Sequence, residues 1–217
     1  MSEKKVWIFA NGLLPENSAL KTMIHSGAWL VAVDGGYRLM KKLGLMPELV
    51  IGDLDSLSEA ELEEIQSARI PIQRFPVEKD EIDLELAINA ALDRGKQPLR
   101  IACALGGRLD QQAANLALLA RPDLAGLDVR LEDGETEVWI IRKESAVTGT
   151  PGDLVSLLPV GGPAHGVTTE GLKYPLHNET LYPYRTRGIS NVLIGEEAWV
   201  KITDGAVLCI HIRRARN

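Results

Sequence analysis

The 217-residue chain carries 24 Lys and Arg against 30 Asp and Glu, which gives a formal net charge of -6. This charge argues against nucleic-acid binding, because a phosphate backbone is bound by a basic surface. With 45% hydrophobic residues the chain can bury a core, but its apolar runs are too short for a signal sequence or a membrane span. Cys103 and Cys209 lie in apolar runs, which predicts buried, reduced thiols. We therefore expect a cytoplasmic protein with no membrane and no nucleic-acid partner.

Residues 1–135 alternate short apolar runs with segments of helical periodicity. The periodicity is clearest at Leu84, Ala87, Ile88 and Ala91, and a capping box of Ser58 and Glu61 precedes another predicted helix. The predicted strands are Val6–Ala10, Trp29–Val33, Leu49–Ile51, Ile70–Phe75, Leu99–Leu105 and Val129–Leu131. This alternation is typical of an α/β domain that has an open, mainly parallel sheet with helices on both faces.

Residues 136–217 contain no amphipathic helical pattern. They contain β-rich runs separated by turn residues: Glu137–Ile141, Leu154–Leu158, Val192–Ile194, Trp199–Thr203 and Ala206–Ile212. Asp204-Gly205 predicts a two-residue hairpin between the last two runs. Trp199 falls in an alternating run, so we expect it in the core. The sequence predicts a second domain over 136–217, an all-β sandwich.

Aspartates follow the ends of several predicted strands. Four of them lie just beyond the carboxyl end of a predicted strand, and two more lie where a helix begins after a strand: Asp34, Asp53, Asp55 and Asp110, then Asp80 and Asp83. Because ligands of open parallel sheets bind at the carboxyl ends of the strands, we expect these carboxylates in one crevice. Clustered carboxylates repel one another, and a hard cation removes that repulsion. We therefore predict one or two Mg²⁺ ions that hold a polyphosphate.

Neighbouring residues suit the same ligand. Arg108 would direct its guanidinium toward phosphate oxygens. The glycine pairs at 35–36 and 106–107 would let the backbone approach a ligand closely.

Taken singly, each acidic feature has a simpler interpretation. Asp53 and Asp55 also fit a surface turn, and Asp80 fits a helix N-cap. Asp110 also fits a favourable charge near a helix N-terminus. Their coincidence at one sheet edge favours a metal–phosphate site.

Six stretches carry the most distinctive residues. They are DGG at 34–36, GDLDS at 52–56, KDEIDLELA at 79–87, GGRLDQ at 106–111, GVTTEGLKYPL at 166–176 and GISN at 188–191. In this order and spacing they resemble the motif series of thiamine pyrophosphokinases, over nearly the whole chain. One departure is Ile82, where the family usually has threonine between the two aspartates.

The resemblance implies an α/β domain that binds Mg-ATP and a sandwich that binds thiamine. It also implies a homodimer whose thiamine sites lie where the two chains meet. The residues that would face the metal or the phosphates are Asp53, Asp55, Asp83 and Asp110. The residues that would contact the nucleotide are Asp34, Gly35, Gly36, Asp80, Gly107, Arg108 and Gln111. Asp83, Arg108 and Asp110 would be catalytic. Ser190 and Asn191 would contact the thiamine pyrimidine, although this pair also fits a β-turn.

The implied reaction is in-line attack by the thiamine hydroxyl on the β-phosphorus of ATP, which releases AMP without a covalent enzyme intermediate. Asp110 is the candidate acceptor of the hydroxyl proton. Three other classes remain open: a pyrophosphokinase for another alcohol, such as a pterin or a pyrimidine, a magnesium-dependent phosphatase or DxD glycosyltransferase, and a non-catalytic nucleotide or vitamin sensor. The position of Asp53 and Asp55 after the third strand disfavours an aspartyl-phosphate phosphatase, and the complete acidic set disfavours a sensor.

Overall fold

The structure, a computed structural model, describes residues 5–16, 19–95 and 98–214. The chain divides into two compact units. The first contains the described residues up to Leu118 together with Gly126–Gly134, and the second contains Leu119–Ala125 and the described residues from Glu135 onward. Within these ranges no helix is both long and apolar enough to cross a bilayer.

The first unit alternates strands and helices, as the sequence predicts. Its strands are β1 (Val6–Phe9), β2 (Trp29–Val33), β3 (Leu49–Gly52), β4 (Ile72–Arg74), β5 (Leu99–Ala102) and β6 (Val129–Glu132). Its helices are α1 (Leu20–Met23), α2 (Gly36–Lys42), α3 (Glu59–Ser67), α4 (Asp83–Asp93) and α5 (Leu109–Leu118). The capping box before α3 is confirmed, because Ser58 and Glu61 exchange side-chain and backbone hydrogen bonds.

The six strands of this unit pair in the order β6-β5-β1-β2-β3-β4, and every pair is parallel. Every residue of β1 and β3 is buried, so both faces of the sheet are covered. Trp7 and Phe9 of β1 pack with Tyr37 and Met40 of α2 in one core cluster, and α4 contacts β1, β2 and β3. The predicted α/β fold is confirmed.

Strand β1 marks the point where the strand order reverses. It pairs with β2 on one side and with β5 on the other, so the chain adds β2 to β4 in one direction and β5 and β6 in the opposite direction. In open parallel sheets the loops that follow the strands diverge at this point and leave a crevice for ligands. The fold therefore places the candidate site beyond the carboxyl ends of β1 and β5.

The second unit contains a short 3₁₀ helix and two antiparallel sheets. The 3₁₀ helix is Pro122–Leu124, and the strands are β7 (Thr136–Ile141), β8 (Glu144–Thr148), β9 (Leu154–Pro159), β10 (Ala164–Glu170), β11 (Glu179–Leu181), β12 (Asn191–Val192), β13 (Glu197–Lys201) and β14 (Val207–Ile212). The sheet orders are β12-β9-β14-β7 and β11-β10-β13-β8. Val155 and Leu157 share a buried cluster with Val167 and Val200 of the other sheet. The predicted all-β sandwich is confirmed.

The predicted hairpin at Asp204-Gly205 is wrong. Strand β13 pairs with β8 and β10, whereas β14 pairs with β7 and β9. The chain therefore passes from one sheet to the other at this turn. The alternating pattern of both strands is the same in either arrangement, because it reports which side chains share a face of the strand and not which strands pair.

The expected burial of Trp199 is also wrong. The indole side chain is 40% exposed and donates a hydrogen bond from Nε1 to Glu197 Oε2 at 3.0 Å. Its neighbours Ala198 and Val200 take the inward positions of β13. Strand β13 alternates, as predicted, but its small side chains face the core and the large indole faces outward. Cys103 and Cys209 are both buried and neither is in a disulfide, as predicted.

Candidate active site

A cavity of about 470 Å³ lies at the carboxyl ends of the parallel strands of the first unit. Its walls come from the loops after β1, β2, β3, β4 and β5 and from α4 and α5 near their N-terminal ends. The predicted site residues that line it are Asp34, Asp53, Asp55, Asp83, Gly107, Arg108 and Gln111. The strand order thus collects residues that are up to 77 positions apart in the chain into one cavity.

Asp53 and Asp83 lie close together on either side of a lysine ammonium. Lys79 Nζ is 3.0 Å from Asp83 Oδ1 and 3.8 Å from Asp53 Oδ2, and it donates a hydrogen bond to the carbonyl oxygen of Pro76. The Lys79 side chain is only 10% exposed. Burial opposes its charge, but the carboxylates of Asp83 and Asp53 outweigh burial and raise the pKa of Lys79. Lys79 therefore stays positively charged between these two carboxylates.

Asp34, which follows β2, completes an acidic group that consists of Asp34, Asp53, Asp55 and Asp83. Its backbone has a φ of 44°, and its Oδ1 accepts a hydrogen bond from the amide of Leu54 at 3.0 Å. A Cβ at Gly52 would lie 1.9 Å from the same oxygen, so only glycine leaves space for this carboxyl group. Burial raises the pKa of Asp34 to about 7, with further contributions from Asp83 and Asp53 and an opposing one from the Leu54 amide.

Asp55 is the exposed member of the acidic group. Its amide donates a hydrogen bond to Asp53 Oδ1 at 3.0 Å. The negative charge of Asp53 is the main reason that the pKa of Asp55 is raised, and Asp83 adds to it. Asp55 therefore senses the same negative potential as Asp34, from the solvent side of the cavity.

Arg108 and Asp110 form a separate pair at the start of α5. Arg108 donates two hydrogen bonds to Asp110, at 3.1 Å from Nε and at 2.6 Å from the terminal nitrogen. Both side chains are mostly exposed, and Arg108 holds the pKa of Asp110 below its usual value. Arg108 and Gln111 line the cavity, whereas Asp110 does not. The structure therefore does not bring Asp110 into the acidic group.

Three further predicted residues lie outside the cavity lining. A Cβ at Gly35 would lie 2.3 Å from Asn11 Oδ1, and a Cβ at Gly36 would lie 2.0 Å from the carbonyl oxygen of Phe9. The close approach at these glycines is thus to the chain itself, where α2 meets the end of β1. Asp80 is exposed and is not the N-cap that its position suggested, because Ile82 occupies that position before α4.

The acidic group has the right chemistry for a hard divalent cation. Its carboxylate oxygens are the donors that Mg²⁺ takes together with water and phosphate oxygens. Asp83 Oδ1 is buried, and the charged group that pairs with it is the Lys79 ammonium at 3.0 Å, a contact without hydrogen-bond geometry. Among the described residues, however, no group of three or more His, Cys, Asp or Glu side chains is arranged to hold a metal ion. The donors fit the cation, but the space between them is shared with Lys79.

In the second unit, the side chain of Asn191 is fully engaged with the backbone. Its Oδ1 accepts hydrogen bonds from the amides of Tyr174 and Val192 at 2.9 Å, and its Nδ2 donates to the carbonyl oxygen of Tyr174 at 2.7 Å. Ser190 has a φ of 56° and an exposed side chain, and its amide donates to Ser156 Oγ. Asn191 therefore fixes the segment that carries Tyr174, while the hydroxyl of Ser190 faces outward.

The family model described as "Thiamin pyrophosphokinase, catalytic domain" matches residues 20–131, more than half of the chain. The chain belongs to the thiamine pyrophosphokinase family. A second model, "Thiamin pyrophosphokinase, vitamin B1 binding domain", matches residues 139–207. The family resemblance predicted from the motifs is confirmed, and with it the prediction that the chain is an enzyme.

Individual relatives agree with this assignment. The chain is 28% identical over 190 residues to the thiamine pyrophosphokinase of Bacillus subtilis (strain 168), covering 83% of this chain and 85% of the relative. The crystal structure of thiamine pyrophosphokinase from Bacillus subtilis is similar with a TM-score of 0.87 and 27% identity, over 98% of this chain and 100% of that chain. A thiamin pyrophosphokinase family protein from Enterococcus faecalis has a TM-score of 0.83 and 27% identity, with the same coverage.

In this member of the thiamine pyrophosphokinase family, Lys79 and Asn11 belong to the site, although the sequence by itself assigns no function to either residue. Lys79 belongs to a family motif, but only the structure places its ammonium between Asp53 and Asp83. The four-residue spacing of Lys79 and Asp83 gives no helical signal for this contact, because α4 begins only at Asp83. Asn11 lines the cavity beyond the end of β1. In the sequence it belongs to an Asn-Gly pair, which is common in turns and therefore gives no sign of a ligand site.

The raised pKa of Asp34 predicts a pH dependence of stability. Between the ordinary value of 3.8 and about 7 the folded protein keeps a proton that the unfolded chain has released, so the free energy of unfolding falls as the pH rises. The shift corresponds to at most about 4 kcal/mol. Asp34→Asn keeps an acceptor for the Leu54 amide and should remove most of this slope. Urea unfolding at pH 5 and pH 8 in a chelator measures it, and an unchanged slope in the variant would contradict the assignment.

The hydrogen bonds of the Asn191 side chain predict that its loss lowers the stability of the protein, although the sequence predicts that this residue binds substrate. Asn191→Ala leaves the amide and carbonyl groups of Tyr174 without these partners, so we expect a loss of about 2 kcal/mol in the free energy of unfolding. Ser190→Ala is the matched control, because its exposed hydroxyl is not needed by the fold, and it should stay within about 0.5 kcal/mol of wild type. Equal stability of the two variants in urea would show that the Asn191 bonds are dispensable.

Proposed function

We propose that this chain transfers the pyrophosphoryl group of ATP to the hydroxyl of thiamine and releases thiamine diphosphate and AMP. The attack is in line on the β-phosphorus and forms no covalent enzyme intermediate. Family membership supports the acceptor and the reaction class. A cytoplasmic location stays a prediction of the sequence.

The observation that carries the proposal is the acidic cavity at the reversal of the strand order. Asp34, Asp53 and Asp83 face one another there beside a single ammonium group, and Arg108 lines the same cavity. Carboxylates and cationic side chains in one cavity suit a polyphosphate bound together with a divalent cation. A site for an uncharged ligand alone would not require so many carboxylates.

We propose Mg²⁺ as the cation, with Asp53, Asp55 and Asp83 as its protein ligands and Asp34 beside them. When bound, Mg²⁺ neutralises phosphate charge and favours the departure of AMP. The side chains of the protein position the phosphates. Arg108 is exposed enough to reach phosphate oxygens with its guanidinium, and Gln111 adds a side-chain amide in the first turn of α5.

We further propose that the second unit binds thiamine and that the enzyme is a homodimer with each thiamine site formed where two chains meet. The family resemblance supports both statements. Ser190 offers its outward hydroxyl to the pyrimidine, and Asn191 acts through the Tyr174 segment that it holds. Sedimentation equilibrium tests the dimer, since a monomer at micromolar concentration would contradict it.

The experiment that tests the function is a coupled assay of AMP release with ATP, Mg²⁺ and thiamine, with thiamine omitted as the control. We expect thiamine-dependent AMP and a product of the mass of thiamine diphosphate. Release of ADP or phosphate instead would contradict the pyrophosphoryl transfer. Activity with a pterin or a pyrimidine alcohol but not with thiamine would change the acceptor and keep the reaction class.

Asp110 remains our candidate for the proton acceptor, although both of its carboxylate oxygens engage Arg108. Asp110→Asn should lower kcat at least tenfold, because the variant can neither accept the proton nor hold the guanidinium by charge. The pH profile separates the two roles, because only loss of a base removes the fall of kcat at low pH. Wild-type turnover in this folded variant would remove Asp110 from the mechanism.

A further inference from the structure

The ammonium of Lys79 lies where a cation of the acidic group would have to lie. Its Nζ contacts the carboxylates of both Asp53 and Asp83, and its side chain is 10% exposed. A charged lysine so little exposed to water is rare in proteins unless it is paired. Lys79 can therefore remain charged at this position because it is paired with Asp53 and Asp83.

The contact to Asp83 is an ion pair without hydrogen-bond geometry. Nζ lies 3.0 Å from Asp83 Oδ1, yet this buried oxygen has no hydrogen-bond partner. The hydrogen bond that Nζ does make goes to the carbonyl oxygen of Pro76 in its own loop. The ammonium thus neutralises the carboxylates by charge, without a directional hydrogen bond to Asp83 that would hold it in place.

The loop position of Lys79 allows its head group to move. Lys79 precedes α4, which begins at Asp83, so the i,i+4 spacing of this pair is not fixed by helix geometry. Lys79 lines the cavity, and the four-carbon stem of a lysine side chain is flexible. Its charge can therefore turn from the carboxylates toward a bound anion without a change in the sheet.

We infer that Lys79 is the internal counter-ion of the acidic group and competes with a divalent cation for Asp53 and Asp83. The inference rests on the proposed function, which assigns the cation to these carboxylates. Without the cation, Lys79 limits the repulsion between Asp53 and Asp83. With the cation and a polyphosphate bound, its charge is free to balance the phosphate.

Manganese binding to the nucleotide-free protein tests the competition. Mn²⁺ prefers the same oxygen ligands as Mg²⁺, and its free concentration is read by electron paramagnetic resonance. Lys79→Gln removes the competing charge and should lower the Kd for Mn²⁺ at least tenfold. Lys79→Arg keeps a charge and should stay within about threefold of wild type. An equal or weaker affinity in Lys79→Gln would overturn the inference.

Stability gives a second, independent measurement. Lys79→Gln should unfold at a lower temperature than wild type in a chelator, and saturating Mn²⁺ should raise its unfolding temperature more than that of wild type. If Lys79→Gln does not fold, the double variant Asp53→Asn/Lys79→Gln decides, because it restores the charge balance. A folded double variant supports the counter-ion role, and an unfolded one contradicts it.

The outcome is separable from that of the proposed function. Thiamine-dependent AMP release by the wild type, together with unchanged Mn²⁺ affinity in Lys79→Gln, would overturn the role of Lys79 and leave the transfer reaction standing. An inactive wild type with tighter Mn²⁺ binding in Lys79→Gln would contradict the reaction and support the counter-ion.

Discussion

Asp83→Asn is expected to lower the kcat of pyrophosphoryl transfer at least a hundredfold in a protein that stays folded. Asp83 contacts Lys79, raises the pKa of Asp34 and carries the buried oxygen without a hydrogen-bond partner. Removing its charge takes away a carboxylate from the centre of the proposed cation site. Losing one preorganised electrostatic contact of this kind costs about two to three orders of magnitude in other enzymes.

Asp80→Asn is the matched control for this prediction. Asp80 belongs to the same motif, but it is exposed and does not line the cavity. The sequence predicts nucleotide binding for it, whereas its position in the structure leads us to expect kcat within about threefold of wild type, because exposed charges interact weakly through water. Steady-state kinetics of the two variants decide between these predictions. Equal losses in both would mean that the acidic group is not the centre of the site.

Gly36→Ala is expected to destabilise the first unit by at least about 3 kcal/mol. The added Cβ would lie 2.0 Å from the carbonyl oxygen of Phe9 and 2.8 Å from its carbon, both of them backbone atoms of β1. Helix α2 cannot move away easily, because Tyr37 and Met40 are fully buried beside this glycine. The strain must therefore appear as a loss of stability or as a shift of α2.

Gly195→Ala provides the control for the effect of a methyl group alone. A Cβ at this glycine meets no atom within 4 Å. We expect a change within about 0.5 kcal/mol in the free energy of unfolding measured in urea. A loss in Gly36→Ala no larger than in Gly195→Ala would show that α2 can retreat from β1.

Much of the fold could be predicted because it depends on local patterns. Buried parallel strands appear as continuous apolar runs, and α4 appears as the spacing of Leu84, Ala87, Ile88 and Ala91. The strands β8, β10 and β11 were not predicted. Strand β10 contains the run His165-Gly166 and two threonines, so its local pattern resembles a loop although Val167 is fully buried.

The candidate site could be predicted in composition but not in arrangement. A carboxylate after a strand end is visible in the sequence, and the parallel sheet makes Asp34 and Asp53 neighbours at one edge. The pairing of Asp110 with Arg108 is equally local, yet nothing in the spacing says that this pair leaves Asp110 outside the cavity lining. Asn191 belongs to a recognisable motif, but its bonds to Tyr174 cross 17 residues of sequence.

The sequence by itself determined the α/β and β-sandwich classes, the family and the strand-end positions of the carboxylates, because these follow from periodicity and motif order. Only the tertiary structure decided that Lys79 lies between Asp53 and Asp83, that β13 and β14 belong to different sheets and that Trp199 faces outward. The physical reason is the same in each case. Periodicity reports which side chains share a face, whereas the face that is buried, the charge neighbours and the strand partners depend on contacts between segments that are remote in sequence.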